Sequence, residues 1–130
     1  MAAGPVGVPR KIGNMHVAQG DIPAALIAYE EGLGIARTLI QQDPRNAEWQ
    51  RDLSVSLNQI GDVHVAQGDI PAALIAYQEG LGIARTLSQQ DPRNAQWQND
   101  LAVSYAKMAM IDAENAQSHW TKVVEIFSDM

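Results

Sequence analysis

The sequence predicts an all-α fold, an α-solenoid of antiparallel helix pairs, and three observations lead there. A 48-residue block from Gly13 to Ile60 realigns without a gap on Gly61 to Met108, identical at 37 of 48 positions. A repeat of this period means stacked supersecondary units, none of which buries its apolar face alone. Second, the apolar residues step by three and four: Ile22, Ala25, Leu26, Tyr29, Leu33, Ala36 and Leu39, then Trp49, Leu53, Leu57 and Ile60, with His64 on the same face. That is a helical period, and no segment alternates as a strand does. Third, alanine, leucine, isoleucine and glutamine dominate, a helix-forming mixture.

Punctuation sets the elements in chain order. Residues 1–9 contain glycine and proline and read as a tail outside the repeats, so repeat one (10–45) lacks half of its first helix. Gln19-Gly20-Asp21-Ile22-Pro23 recurs as Gln67-Gly68-Asp69-Ile70-Pro71. There glycine closes one helix in the left-handed conformation and proline enters the first turn of the next. Asp43-Pro44-Arg45-Asn46 recurs as Asp91-Pro92-Arg93-Asn94. Proline disfavours helix in the residue before it, and asparagine caps the helix that follows. Repeat two (46–93) therefore holds helices over Ala47 to Gln67 and Ile70 to Gln90, each of about 20 residues and roughly 30 Å. A partial repeat three (94–117) keeps one helix, Ala95 to Asn115. A shorter helix over 118–130 places Trp120, Val123, Val124 and Phe127 on one stripe, so the array is expected to be cut short at both ends.

Composition bounds the function. At 130 residues and 46% hydrophobic, the chain makes one domain with a real core once the repeats stack. A net charge of −6 argues against a phosphate-binding surface, hence against a nucleic-acid partner, and favours partners with a basic face. The chain has no cysteine, in keeping with a reducing compartment. The first residues lack a signal-peptide core, and no run approaches the ~18 apolar residues of a membrane span. A cytoplasmic protein with no membrane partner is expected.

No constellation carries chemistry. His16 and His64 are one repeat position and have no ligand one turn away, so repeat packing with a hydrogen bond is expected of them rather than a metal. His119, near a helix start, is expected to be exposed. Asp52 and Asp100 are repeat equivalents rather than carboxylates converging on a cleft, and read as solvated helix charges. Gly32-Leu33-Gly34 and Gly80-Leu81-Gly82 lie within helices and are not phosphate loops. Close approach of a neighbouring helix is expected to explain them, and Trp49 and Trp97 to anchor their helix starts by packing. No catalytic, cofactor-binding or metal-ligating set emerges, so an enzyme is not expected.

In repeat two, Leu57, Ile60-Gly61, His64, Gly68-Asp69, Ala73 and Tyr77 fall at successive marked positions. Ile12-Gly13, His16, Gly20, Ala25 and Tyr29 do the same in repeat one. This pattern resembles the tetratricopeptide repeat, a helix pair of about 34 residues. Pro92 arrives about seven residues later, and Asn46 about seven earlier, than that family places its boundaries. About two extra turns at the far end of each helix therefore account for the longer period. Gly80 replaces the family's late alanine, and the last helix matches more loosely.

The resemblance implies a right-handed superhelix of about two and a half lengthened repeats, whose first helices line a groove that takes an extended peptide or protein. It places Arg10, Asn14, Val17, Val55, Asn58, Asp62, Val65, Val103, Ala106 and Met110 on that groove. The family's clamp for a peptide C-terminal carboxylate is matched by Arg10, Asn14 and Lys107, but Gln59 and Val103 replace its expected residues and Asp62 repels a carboxylate. A protein–protein interaction or scaffold module is the function expected. The alternative is homo-oligomerisation through the cut ends, where Leu33, Leu39 and Ile40 lack a full neighbour and Trp120, Val124 and Phe127 offer an amphipathic face.

Overall fold

A computed structural model describes residues 6–129. It contains six α-helices: α1 Gly7–Ala18, α2 Ile22–Gln42, α3 Ala47–Ala66, α4 Ile70–Gln90, α5 Ala95–Ile111 and α6 Ala116–Asp129. A single turn of 3-10 helix, Ala113–Asn115, leads into α6. No strand occurs among the described residues, and none of these helices is long and apolar enough to cross a membrane. Each helix packs chiefly against its neighbours in the chain.

The repeated punctuation acts as its chemistry requires. Gly20 and Gly68 sit at φ +80° and +78°, the left-handed region that turns the chain from one helix into the next. Asp21 and Asp69 then cap α2 and α4, each side chain accepting from a backbone N–H three residues on at 3.2 Å. Asn46 and Asn94 do the same for α3 and α5 at 3.1 and 3.0 Å. Each such cap contributes on the order of 1 kcal/mol.

Three buried clusters form the core. Val6, Ala36, Leu53 and Leu57 join α2 to α3; Ala25, Tyr29, Ile60, Val63 and Ala76 continue between α2, α3 and α4; Ala73, Tyr77, Leu81, Ala84, Leu101, Tyr105 and Met108 join α4 to α5. Gly13 and Gly61 leave room for the tyrosine of the paired helix. A β-carbon on Gly61 would stand 2.5 Å from Tyr77 Cδ1, and one on Gly13 meets Tyr29 in the same way.

Several expectations need correction. Helix α1 starts at Gly7, and Val6 is only 2% exposed, so the supposed tail already contributes to the core. Leu33, Leu39 and Ile40 pack against the Val6, Leu53 and Leu57 cluster but stay half-buried, whereas their repeat equivalents Leu81, Leu87 and Ser88 are buried. Helix α5 stops at Ile111 rather than Asn115 because Asp112 stands where the repeats have His16 and His64. Its carboxylate accepts from Asn115 at 3.1 Å and pairs with His119 at 3.2 Å, and those two bonds hold its pKa below the usual carboxylate range, the His119 bond first. His119 is accordingly half-buried, its ring 6.1 Å from that of Tyr105, not exposed.

The interior glycines divide. A side chain on Gly80 would meet Asn58 Oδ1 at 3.0 Å, tight enough for close packing to account for it, whereas one on Gly32 would meet Pro9 Cβ at 3.4 Å, an ordinary contact. Gly34 and Gly82 face open space, and packing does not explain them.

Candidate protein-binding face

The first helices of the repeats lie side by side, because side-chain bonds run directly from α1 to α3 and from α3 to α5. Gln59 Nε2 donates to Asn14 Oδ1 at 3.3 Å, and its repeat equivalent Lys107 reaches both oxygens of Asp62 at 2.8 and 3.0 Å. Further along the row, Arg51 binds Asp100 through two bonds of 2.6 and 3.3 Å, and Arg10 lies 3.7 Å from Asp52 while donating to its carbonyl at 3.3 Å. Asp52 and Asp100 are thus partners across helix junctions, not free solvated charges. Burial still holds the Asp52 carboxyl above its ordinary range, against the opposing pull of Arg10. The second helices are tied once, by Arg37 to Glu79 at 2.9 Å.

The tyrosines of α2 and α4 support this face from behind. Tyr29 donates to Asn14 and Tyr77 to Asp62, so each of these polar side chains is held by its own repeat and by the next one. Burial, then the Asp62 hydrogen bond and charge, pushes the Tyr77 phenol far above its usual range. Burial and then the Asp62 charge raise Tyr29, with Arg10 opposing. Both phenols keep their protons in the fold, so their contribution to stability is flat below the unfolded value of about 10 and falls as pH rises past it. Urea midpoints followed into that range are expected to drop more steeply for the parent than for Tyr77→Phe. Equal slopes would count against this coupling.

The predicted groove residues are only partly brought together. Val17, Val65, Val103 and Met110 are exposed apolar side chains, Met110 the most so at 75%. Asn14 and Asp62 are exposed; Arg10, Val55, Asn58 and Ala106 are half-buried. Asn58 turns into the helix junction, donating to Ser104 Oγ at 3.4 Å with its Oδ1 close to Gly80. Asn14, Val17 and Asp62 share a pocket of about 190 Å³ with Ile22, Tyr29, Gln59, Val63 and Ala66. There an apolar wall meets a carboxylate and the Gln59 Oε1 acceptor, which is buried and without a partner among the described residues. The bonds of Arg10, Asn14 and Lys107 leave no free cationic clamp.

His16 and His64 do not make the hydrogen bond expected of them: each Nδ1 is buried and finds no partner among the described residues. Trp49 and Trp97 are half-buried at their helix starts. A larger gap of about 1030 Å³ lies where α4, α5 and α6 meet, lined by Arg85, Leu101, Tyr105, Lys122 and Ile126 among others. Helix α6 has 14 residues against the 21 of α4, and the start of α5 borders the gap on that side. Arg85 covers one wall, its Nη2 donating to Tyr105 Oη at 3.0 Å. Among the described residues, no group of three His, Cys, Asp or Glu side chains could hold a metal ion. Compared with known proteins, the chain matches no family, and no curated protein matches it either.

Proposed function

We propose that the chain is a protein-binding helical-repeat module of tetratricopeptide kind, with α1, α3 and α5 lining the concave face of a right-handed superhelix. The pocket between α1 and α3 is the observation that carries this reading. It offers an apolar slot beside the Asp62 carboxylate. Val65, Val103 and Met110 extend apolar surface along the same row. The partner that fits is an extended segment bearing an apolar side chain next to an N–H donor or a cation. The net charge of −6 favours a basic one.

Peptide display against the immobilised chain tests this. Enriched peptides are expected to bind at least about tenfold more weakly to a Val17→Asp, Val65→Asp double variant, a loss of about 1.4 kcal/mol or more. They are expected to bind unchanged to Ile27→Asp, whose side chain is exposed on the opposite layer. Peptides that lose affinity only with Ile27→Asp would place the site on the other side.

A further inference from the structure

We propose that copies of this chain join head to tail, α6 of one against α1 of the next, continuing the repeat stack between molecules. On α1, Val8, Ile12 and Met15 form a stripe at i, i+4 and i+7 and are 41–58% exposed. By the 48-residue offset they are the equivalents of Ser56, Ile60 and Val63 on α3, and all three of those are buried. Ile60 and Val63 share their cluster with Ala25 and Tyr29 of the preceding second-type helix. Head-end α1 therefore presents the same face that α3 uses to sit on α2, with nothing on it among the described residues.

The tail end offers the other half. On α4, Ala76 shares a cluster with Ile60 and Val63 of its own repeat, while Ala73 and Tyr77 on either side of it pack with Leu101, Tyr105 and Met108 of the next first-type helix. On α6, Val123 packs inward. Trp120 and Val124 flank it with the same spacing and, with Phe127, are 46–63% exposed. By the 48-residue offset they stand at the places of Ala72, Ala76 and Glu79, so it is their exposure rather than the repeat register that offers them to a following helix. Charge agrees in sign: α1 carries an exposed Lys11 and no carboxylate, Arg10 being held by Asp52, whereas α6 carries Glu125 and Asp129 against Lys122. Among the described residues nothing covers either face, and a second copy supplies the cover for both. Such a contact joins two different surfaces, so it does not close on itself and grows into chains or rings. Nothing in it rests on the peptide-binding reading.

Light scattering on a sizing column tests it with the full chain. Parent mass is expected to climb with concentration past twice the 14.1 kDa chain mass. Ile12→Glu, blocked at the head, and Val124→Glu, blocked at the tail, are each expected to stay at single-chain mass. Mixed in equal amounts they keep one free head and one free tail, and a species of twice the chain mass is expected. Met15→Glu and Trp120→Glu form a second pair with the same expectation, and helical circular dichroism shows that each variant is folded. A parent that stays at single-chain mass overturns the proposal. So does a mixture of folded variants that stays monomeric, or an Ile12→Glu protein that dimerises alone, which would mean tail-to-tail pairing.

Discussion

Replacing Gly61 by alanine is expected to destabilise the chain by about 2 kcal/mol, lowering the midpoint temperature by roughly 8 °C. Alanine is the better helix former by about 1 kcal/mol, so propensity alone predicts the opposite sign. Overlap decides it: the added methyl would stand 2.5 Å from Tyr77 Cδ1 and 2.9 Å from Cζ. Tyr77 cannot swing aside, because its ring is buried in the α4–α5 cluster and its hydroxyl is bonded to Asp62. Gly82→Ala is the matched control. It also lies inside a helix but faces open space, so it is expected to gain about 0.5–1 kcal/mol. Thermal melts of the two variants should move in opposite directions. A Gly61→Ala protein as stable as Gly82→Ala would show that the helices of a pair do not approach as closely as described.

Leu57→Ala should cost about 3 kcal/mol, the usual range for a truncation that leaves a cavity in a closed core. Leu57 is buried between α3 and α2 and shares its cluster with Val6, Ala36 and Leu53. Val6→Ala is smaller, about 1 kcal/mol, because two methyl groups are lost instead of three carbons. The pair belongs in a double-mutant cycle measured by urea unfolding. Coupling of about 0.5 kcal/mol or more is expected, since both side chains line one cluster. Additive costs would detach Val6 from the core and restore the reading of residues 1–9 as a tail.

Where a capping residue recurs, the helix limits were legible: Asn46 and Asn94 start helices, and Asp43-Pro44 and Gly68 end them, within a residue of expectation. The legible part ended where the repeat changes chemistry. Ala116 stands at the place of Gly68, so no residue there favours the left-handed turn, and Asp112 draws the chain into a 3-10 turn instead. At the other end Val6 is one apolar residue in a Gly- and Pro-containing stretch with no periodicity to mark it as core.

The candidate face was legible as a list of positions, not as a set of bonds. Arg10–Asp52, Gln59–Asn14 and Arg51–Asp100 span 42, 45 and 49 residues, so pairing them requires the offset between neighbouring first helices, which spacing within one helix does not carry. Asn58 shows the same limit. Its helical position points to the groove, but Gly80 leaves room behind it and the side chain turns there.

Helices α2 and α4 have a kinetic consequence. Over their 21 residues they differ only at Glu30/Gln78 and Ile40/Ser88. During refolding α3 therefore meets two nearly interchangeable helices, one on each side in the chain. Only one of the two differences bears on a buried contact: Ile40 packs against the Leu53 and Leu57 cluster, where α4 would bring Ser88. Burying one aliphatic side chain is worth at most about 2–3 kcal/mol, a thin margin for choosing between alternative pairings. The short connections at Gly20 and Gly68 and at the two Asp-Pro turns make most of that choice, by deciding which helix arrives first. Cutting or lengthening a turn thus alters which partner α3 captures before it alters how strongly α3 is held, and mispaired chains have to open again before they reach the native order.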